Sequence, residues 1–430
     1  MAWMQTFGQE DHSVRRSMMR RYWFSILLSV FMIVGLGTYY VYGATDHLPQ
    51  YKLATIEGDV NEGAQIQVLG SYIGGRGSEI LSVTTDGSDY ESSQSIYSKM
   101  FSNSSRTWIA EQPGTREMIK DHRSFMWGKG NGNSFYKDEE WIIYAEAVNN
   151  PDATKPELLL KIDLLNQTSG EVKHYDTIVG EMPYVFSYVV DVQFFEDKIH
   201  ILTFNNHPWS EVDITDSNQY HDYIVDVNTG TLTDQEILNY GISTKDNVEL
   251  NYNIITNADL TTQSDVAVFV VSEETRAPMK NDEYNRVLLD KHFYSYTYQT
   301  GELIDLSSLL STVKMGVNTS YRLDGSILSI LNYESDGLTV SRFNLVTEKL
   351  DKDVISITTQ LLSGDTIATG IMSNDKLNIL YHHNDNPMVA VINLANGVIV
   401  YKGEVVLDGA GSENTDHMKN VELYSLAIVE

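Results

Sequence analysis

Tyr223-Ile224-Val225-Asp226-Val227-Asn228-Thr229-Gly230 is a short β-rich run ending in a turn. Tyr, Ile and Val favour strands, Gly reaches positive φ without strain, and Asn or Thr before it suits a tight hairpin. The same design recurs at Leu160 to Gly170, Phe293 to Gly301, Val340 to Lys349 and Val389 to Gly397. Upstream of it lies a second recurring piece, an Asp-containing turn entering an apolar strand. Asp197-Lys198-Ile199-His200-Ile201-Leu202 and Asp375-Lys376-Leu377-Asn378-Ile379-Leu380 are close copies. Asp138 to Tyr144 and Asp324 to Leu331 are looser ones, and Val266 to Val271 is a fifth. Polar loops follow, as in Asn149-Asn150-Pro151, Asn205-Asn206-His207-Pro208 and Asn384-Asp385-Asn386-Pro387.

With an entry strand before it and a strand after the Gly turn, each unit has four short strands. Four strands per 40–50 residues is the spacing of a propeller blade. The units fall at about 134–178, 184–238, 250–310, 318–357 and 366–406. Residues 60–133 leave room for one less regular unit. Val421 to Val429 reads as a lone strand, and a terminal strand that completes the first unit closes a ring. The expected fold is an all-β propeller of six four-stranded blades, with seven blades or a β-sandwich array as alternatives.

At Tyr223 to Gly230 the pattern resembles the bacterial YVTN/quinoprotein-like β-propellers, whose blades often carry a Tyr-x-x-Asp-x-x-Thr-Gly turn. The likeness extends over roughly 134–406. It implies architecture and no activity.

Tyr22 to Tyr42 is different in kind: 21 residues without a charge, with Tyr22 and Trp23 at one end and Tyr39, Tyr40 and Tyr42 at the other. That length spans about 30 Å of hydrocarbon, and aromatic rings favour both interfaces. Arg15, Arg16, Arg20 and Arg21 precede it, which places the N-terminus in the cytoplasm. The reading is a cytoplasmic tail (1–21), a transmembrane signal-anchor (22–42), a linker (43–59) and an extracytoplasmic domain (60–430). A cleaved signal peptide, with small residues at Gly43-Ala44, and a twin-arginine signal at Arg20-Arg21 are weaker readings of the same segment.

The 430 residues carry 30 Lys+Arg against 59 Asp+Glu, a net charge of −29. Residues 1–43 hold four Arg against Glu10 and Asp11, so the acidic excess lies in the domain beyond the anchor. A phosphate backbone is bound mainly through Lys and Arg, so a nucleic-acid partner is not expected. The chain has no cysteine, which removes disulfides, thiolate catalysis and Cys-ligated metals.

Phosphate-binding, zinc-protease, nucleophile-elbow and EF-hand motifs are all absent. The glycine clusters Gly74-Gly75-Arg76-Gly77 and Gly128-Lys129-Gly130-Asn131-Gly132 do not open a predicted helix and read as loops. His382 and His383 are adjacent on a strand and diverge, and Asp213, Asp216 and Asn218 read as a polar loop, so no metal site is expected. No cofactor is implied. Trp108, Trp127, Trp141 and Trp209 do not repeat in register as the tryptophans of quinone-dependent propellers do.

Two units lengthen the loop after their second strand, at about 205–222 and 273–291. Insertions confined to one face mark a binding face. The candidate binding residues are Trp209, Tyr220 and His221 in one loop, and Arg276, Tyr284 and Arg286 in the other, with Lys280 nearby. Trp, Tyr and Arg are the usual anchors of protein interfaces. The expected function is a membrane-anchored binding module, sensory or regulatory, meeting a protein partner at the cell surface. The alternative is an anchored hydrolase or lyase acting on a polymer or glycan through carboxylates in the central channel.

Overall fold

The computed structural model describes residues 23–25, 27–36, 48–74, 77–91, 113–149, 157–181, 184–207, 218–242, 248–259, 262–278, 284–316, 318–373, 375–409 and 415–428. They form 25 strands in six antiparallel sheets. The arrangement is consistent with a six-bladed propeller.

Four sheets are consecutive meanders. The second sheet holds β5 (Phe135–Lys137), β6 (Trp141–Asn149), β7 (Glu157–Asn166) and β8 (Val172–Glu181). The third holds β9 (Phe186–Phe195), β10 (Lys198–Asn206), β11 (Asn218–Asp226) and β12 (Leu232–Ile237). The fourth holds β13 (Glu249–Ile255), β14 (Val266–Pro278), β15 (Tyr284–Thr297) and β16 (Glu302–Asp305). The fifth holds β17 (Thr319–Asp324), β18 (Ile327–Glu334), β19 (Gly337–Asn344) and β20 (Lys349–Thr358). Each boundary lies close to its unit as read from the sequence.

Both chain ends join the ring. The sixth sheet has five strands: β21 (Thr366–Ser373), β22 (Lys376–His383), β23 (Asn386–Asn393), β24 (Ile399–Leu407) and, outside them, β1 (Tyr51–Gly58). The first sheet is β2 (Ile66–Gly74), β3 (Gly77–Val83), β4 (Ser88–Tyr90) and, beside β2, β25 (Val421–Ile428). The C-terminal strand thus completes the first unit, as its isolation in the sequence suggested. The expected linker 43–59 is corrected: Tyr51–Gly58 is a strand, paired with β24 from Tyr51↔Leu407 to Gly58↔Tyr401. Tyr51 and Leu53 point inward and are fully buried.

The recurring turn has a clear physical basis. The Asp226 carboxylate accepts from the backbone N–H groups of Asn228 (3.0 Å) and Thr229 (2.8 Å), and Gly230 closes the turn at φ 67°. Asn166, Asn344 and Asn393 cap the same hairpin in their own sheets. An Asx side chain replacing a backbone acceptor is why the pattern repeats.

Apolar clusters join neighbouring sheets. Ile162, Val192, Ile201 and Val225 lie between the second and third, Phe269, Leu202 and Tyr296 between the third and fourth. Val68, Leu81, Leu380 and Val405 lie between the first and sixth. The other face of the second sheet is covered differently. Helices Pro113–Asp121 and Arg123–Met126 lay Met118, Phe125 and Met126 over Ile142, Tyr144 and Leu165. Lys129 fixes this cover, donating to Asp163 (2.6 Å) and to the carbonyl of Phe125 (2.7 Å). Among the described residues the irregular unit expected at 60–133 is therefore three strands with short helices before and after them.

The expected membrane span 22–42 is described only at residues 23–25 and 27–36, which are helical and exposed. Among the described residues no helix is long and apolar enough to cross a membrane. The rest of that span lies outside the described residues, as do the cytoplasmic tail 1–21 and residues 43–47.

Candidate functional site

The two long connections emerge at the same end of their sheets, where the second strand turns into the third. They are built differently. Residues 273–291, expected as a loop, are a paired hairpin running from Glu273↔Asp290 to Pro278↔Tyr284. β13 accompanies β14 only as far as Glu274, and β16 accompanies β15 only from Tyr294 onward. Residues 275–278 and 284–287 therefore extend past the rest of their sheet as a two-stranded arm, while 288–293 flank the part of β14 that β13 still accompanies. Alternation of Val, Thr and charged residues allowed strands here. Polar composition favoured a loop, and pairing with a strand already in place decided it.

Side chains fix the base of the arm. Lys291 donates to the Gly316 carbonyl (2.8 Å) and the Tyr321 hydroxyl (3.0 Å), which ties β15 to the fifth sheet. Burial lowers the pKa of that ammonium. His292 contacts Glu273 at 3.0 Å. Further out, Arg276 pairs with Glu249 (2.6 Å) and Arg286 with Glu274 (3.7 Å). Both arginines remain more than half exposed, as does Leu289, and Val287 is 40% exposed.

The other candidates separate. Trp209 and Lys280 lie outside the described residues, as does the side chain of Tyr284; Tyr284 itself opens β15. Tyr220 and His221 are neighbours on β11 and face opposite ways. Tyr220 is 3% exposed and packs edge-on against Phe269 (4.9 Å) and Phe204 (5.2 Å), a core position. His221 is 1% exposed. Gln235 donates to its Nδ1 (3.1 Å), and its Nε2 shares the Gln219 side-chain oxygen with His207 (3.1 and 3.2 Å). Tyr184 stands edge-on to both imidazoles. Burial lowers the His221 pKa to about 4, so the ring is neutral. Arg276 and Arg286 are thus the two candidates that the described structure brings together on a surface.

Two carboxylates the sequence could not single out lie between the third and fourth sheets. Asp222 is fully buried and accepts from the Tyr296 hydroxyl (2.8 Å) and His200 Nδ1 (2.8 Å), while its Oδ1 has no partner among the described residues. Asp191, 2% exposed, accepts from Tyr298, Gln193 and the N–H of Val192. Burial raises its pKa to about 6, and the charge of Asp222 adds to this. Both lie sealed between sheets, where no polymer could reach them. Their work is to join β9, β11 and β15 through buried polar contacts.

Concave surfaces among the described residues include one of about 260 Å³ at the base of the arm, beside Lys291, Phe293 and Leu310. Inner strands β13, β17 and β21 border an open pocket of about 300 Å³ lined by Ile255, Tyr321, Arg322, Leu323 and Met372 among others, with no carboxylate among the described residues. A larger cleft of about 440 Å³ opens between the fifth and sixth sheets, on the same face as the arm. Its wall includes Tyr333, Glu334, Ser335, Thr359, Asp365 and Thr369. His382 and His383 are held apart by strand alternation, and His383 Nε2 meets the Asn384 side chain (3.0 Å). Among the described residues no group of three His, Cys, Asp or Glu could hold a metal ion. Asp213 and Asp216 lie outside the described residues.

No family model matches the chain, and no curated protein matches it. Several solved structures are similar to it at low identity. They include the uncharacterized protein lmo1340 from Listeria monocytogenes, at 9% identity and TM-score 0.30, covering 63% of this chain and 64% of that one. TolB from Acinetobacter baumannii is similar at 9% identity and TM-score 0.27, covering 79% and 63%. A putative 6-phosphogluconolactonase from Bacteroides uniformis is similar at 11% identity and TM-score 0.29, covering 80% and 96%. The chain spans just under two thirds of the first two.

Proposed function

We propose that this chain is an extracytoplasmic interaction module, anchored in the cell membrane by residues 22–42, which binds a protein partner through the face bearing the β14–β15 arm. The observation that carries the reading is the arm itself. A hairpin that outruns both neighbouring strands contributes little to the core, yet the contacts of Lys291 with Gly316 and Tyr321 hold its base in one place. Rigid presentation of arginine and apolar side chains lowers the entropy cost of binding. Anchoring is supported by the uncharged run and the four arginines before it. The Asx–Gly turns support blades of the YVTN/quinoprotein-like kind.

The test is to replace residues 275–287 with an Asn-Gly turn in the full chain. The melting temperature should change little, and a partner recovered with the unaltered chain from solubilised membranes should no longer be recovered. Undiminished recovery would place the binding face elsewhere. Protease added to intact, wall-stripped cells should digest residues beyond about 50, and a protected C-terminus would refute the topology.

A further inference from the structure

We infer that the cleft between the fifth and sixth sheets receives a basic side chain, lysine or arginine, from the partner protein. This rests on the interaction reading above and adds the partner's chemistry to it.

The cleft holds about 440 Å³, within the range of small-ligand sites. Its polar side chains are carboxylates, hydroxyls and an amide, and among the described residues no Lys, Arg or His lines it. An anionic ligand would meet Glu334 and Asp365 with nothing to offset them. An ammonium or guanidinium would meet the carboxylates of Glu334 and Asp365, in the charge-assisted form that is strongest. The chain's net charge of −29 draws basic partners toward it in the first place.

The cleft is also preformed. The Asn384 N–H donates to Asp365 Oδ2 (2.6 Å), and the Asp365 N–H donates to the carbonyl of His382 (2.7 Å). One carboxylate oxygen is thus pinned. The Tyr333 hydroxyl bonds Gly370 on β21 (3.0 Å), which fixes the ring across the two sheets. At Gly337 the backbone comes so close that a Cβ would lie 2.2 Å from the Ile357 carbonyl oxygen. A wall this constrained has little ordering left to lose when a ligand enters.

The experiment titrates the full chain with three capped tripeptides, Gly-Lys-Gly, Gly-Arg-Gly and Gly-Glu-Gly, and with N-acetylglucosamine, following binding by NMR. The lysine and arginine peptides should saturate one site, and the other two should not bind. Asp365→Asn keeps an oxygen for the Asn384 N–H and removes the charge, so affinity should fall about tenfold or more. Glu348→Gln makes the same charge change in the β19–β20 turn at the opposite end and should leave affinity unchanged. Equal weakening by both variants would mean diffuse attraction to an acidic surface and would overturn the proposal. So would preference for the sugar, or no binding of either basic peptide. Loss of the arm leaves this cleft intact, so an arm that fails to capture a partner sinks the wider reading while basic peptides still bind.

Discussion

Arg276 and Arg286 stand directly opposite each other across the β14–β15 arm, a like-charge pair that would push the strands apart. Glu249 and Glu274 face each other in the same way on β13 and β14. Arg276 reaches Glu249 and Arg286 reaches Glu274, so two repulsive rungs become an alternating quartet of charges.

Exposed pairs of this kind are worth roughly 0–1 kcal/mol. Replacing Arg276 and Arg286 by Ala should therefore lower stability by about 1 kcal/mol or less in thermal unfolding. Partner capture should fall much more, since truncated anchors cost about 2 kcal/mol or more each. Parallel losses of stability and capture would make the arginines structural.

Two buried groups give opposite pH dependences. Asp191 titrates near 6 in the fold against an ordinary 3.8, so its proton is held more tightly in the native state. Its contribution to stability is complete below about pH 4 and is lost as pH rises through 6. His221 titrates near 4 against an ordinary 6.5. Its contribution is complete above 6.5 and is lost as pH falls toward 4. Each swing is up to roughly 3 kcal/mol. Denaturant unfolding between pH 4 and 7 should show Asp191→Asn removing the loss on the alkaline side and His221→Gln removing the loss on the acid side. An unchanged profile in either variant contradicts its assignment.

Ring closure is a second stability claim. Deleting residues 421–430 strips the β2 edge and removes the buried side chains of Leu423 and Leu426, each worth roughly 1.5–3 kcal/mol. Deleting residues 51–58 bares β24 and removes Tyr51 and Leu53. Whole domains are stable by only about 5–15 kcal/mol, so each truncation should aggregate or melt far lower. A normal melting temperature after either would show that end to be dispensable.

Glycines in equivalent turns should differ. Gly397 has φ 71° with open space around it, so Gly397→Ala carries only the left-handed penalty of roughly 1 kcal/mol. Gly230 has φ 67°, and a Cβ there would lie 2.3 Å from the Tyr175 ring of the second sheet. Gly230→Ala should cost clearly more, read as a larger drop in melting temperature.

The blades were legible because their turns are local. Glu196-Asp197 and Asn384-Asp385 take positive φ, as short polar residues in tight turns do, and Asx caps recur at fixed offsets from the Gly turns. What escaped depends on distant partners. Tyr51–Gly58 is a strand because β24, some 350 residues later, offers an edge. The arm reads as a polar loop until β14 and β15 meet. Tyr220 and His221 look like surface anchors, yet strand alternation sends one into the third–fourth seam and the other to the opposite side of its sheet. Asp191 and Asp222 are two acids among 59, and only the packing of β15 against β9 and β11 singles them out. The cleft is assembled from two sheets and leaves no linear motif.

The most direct test of the interaction reading is a photo-crosslinking residue placed at Val287 on the arm or at Val346 in the β19–β20 turn, both exposed and at opposite ends of their sheets. Irradiated intact membranes carrying the full chain should yield a discrete protein adduct from position 287 and none from 346. The same adducts from both positions, or none from 287, would contradict the account.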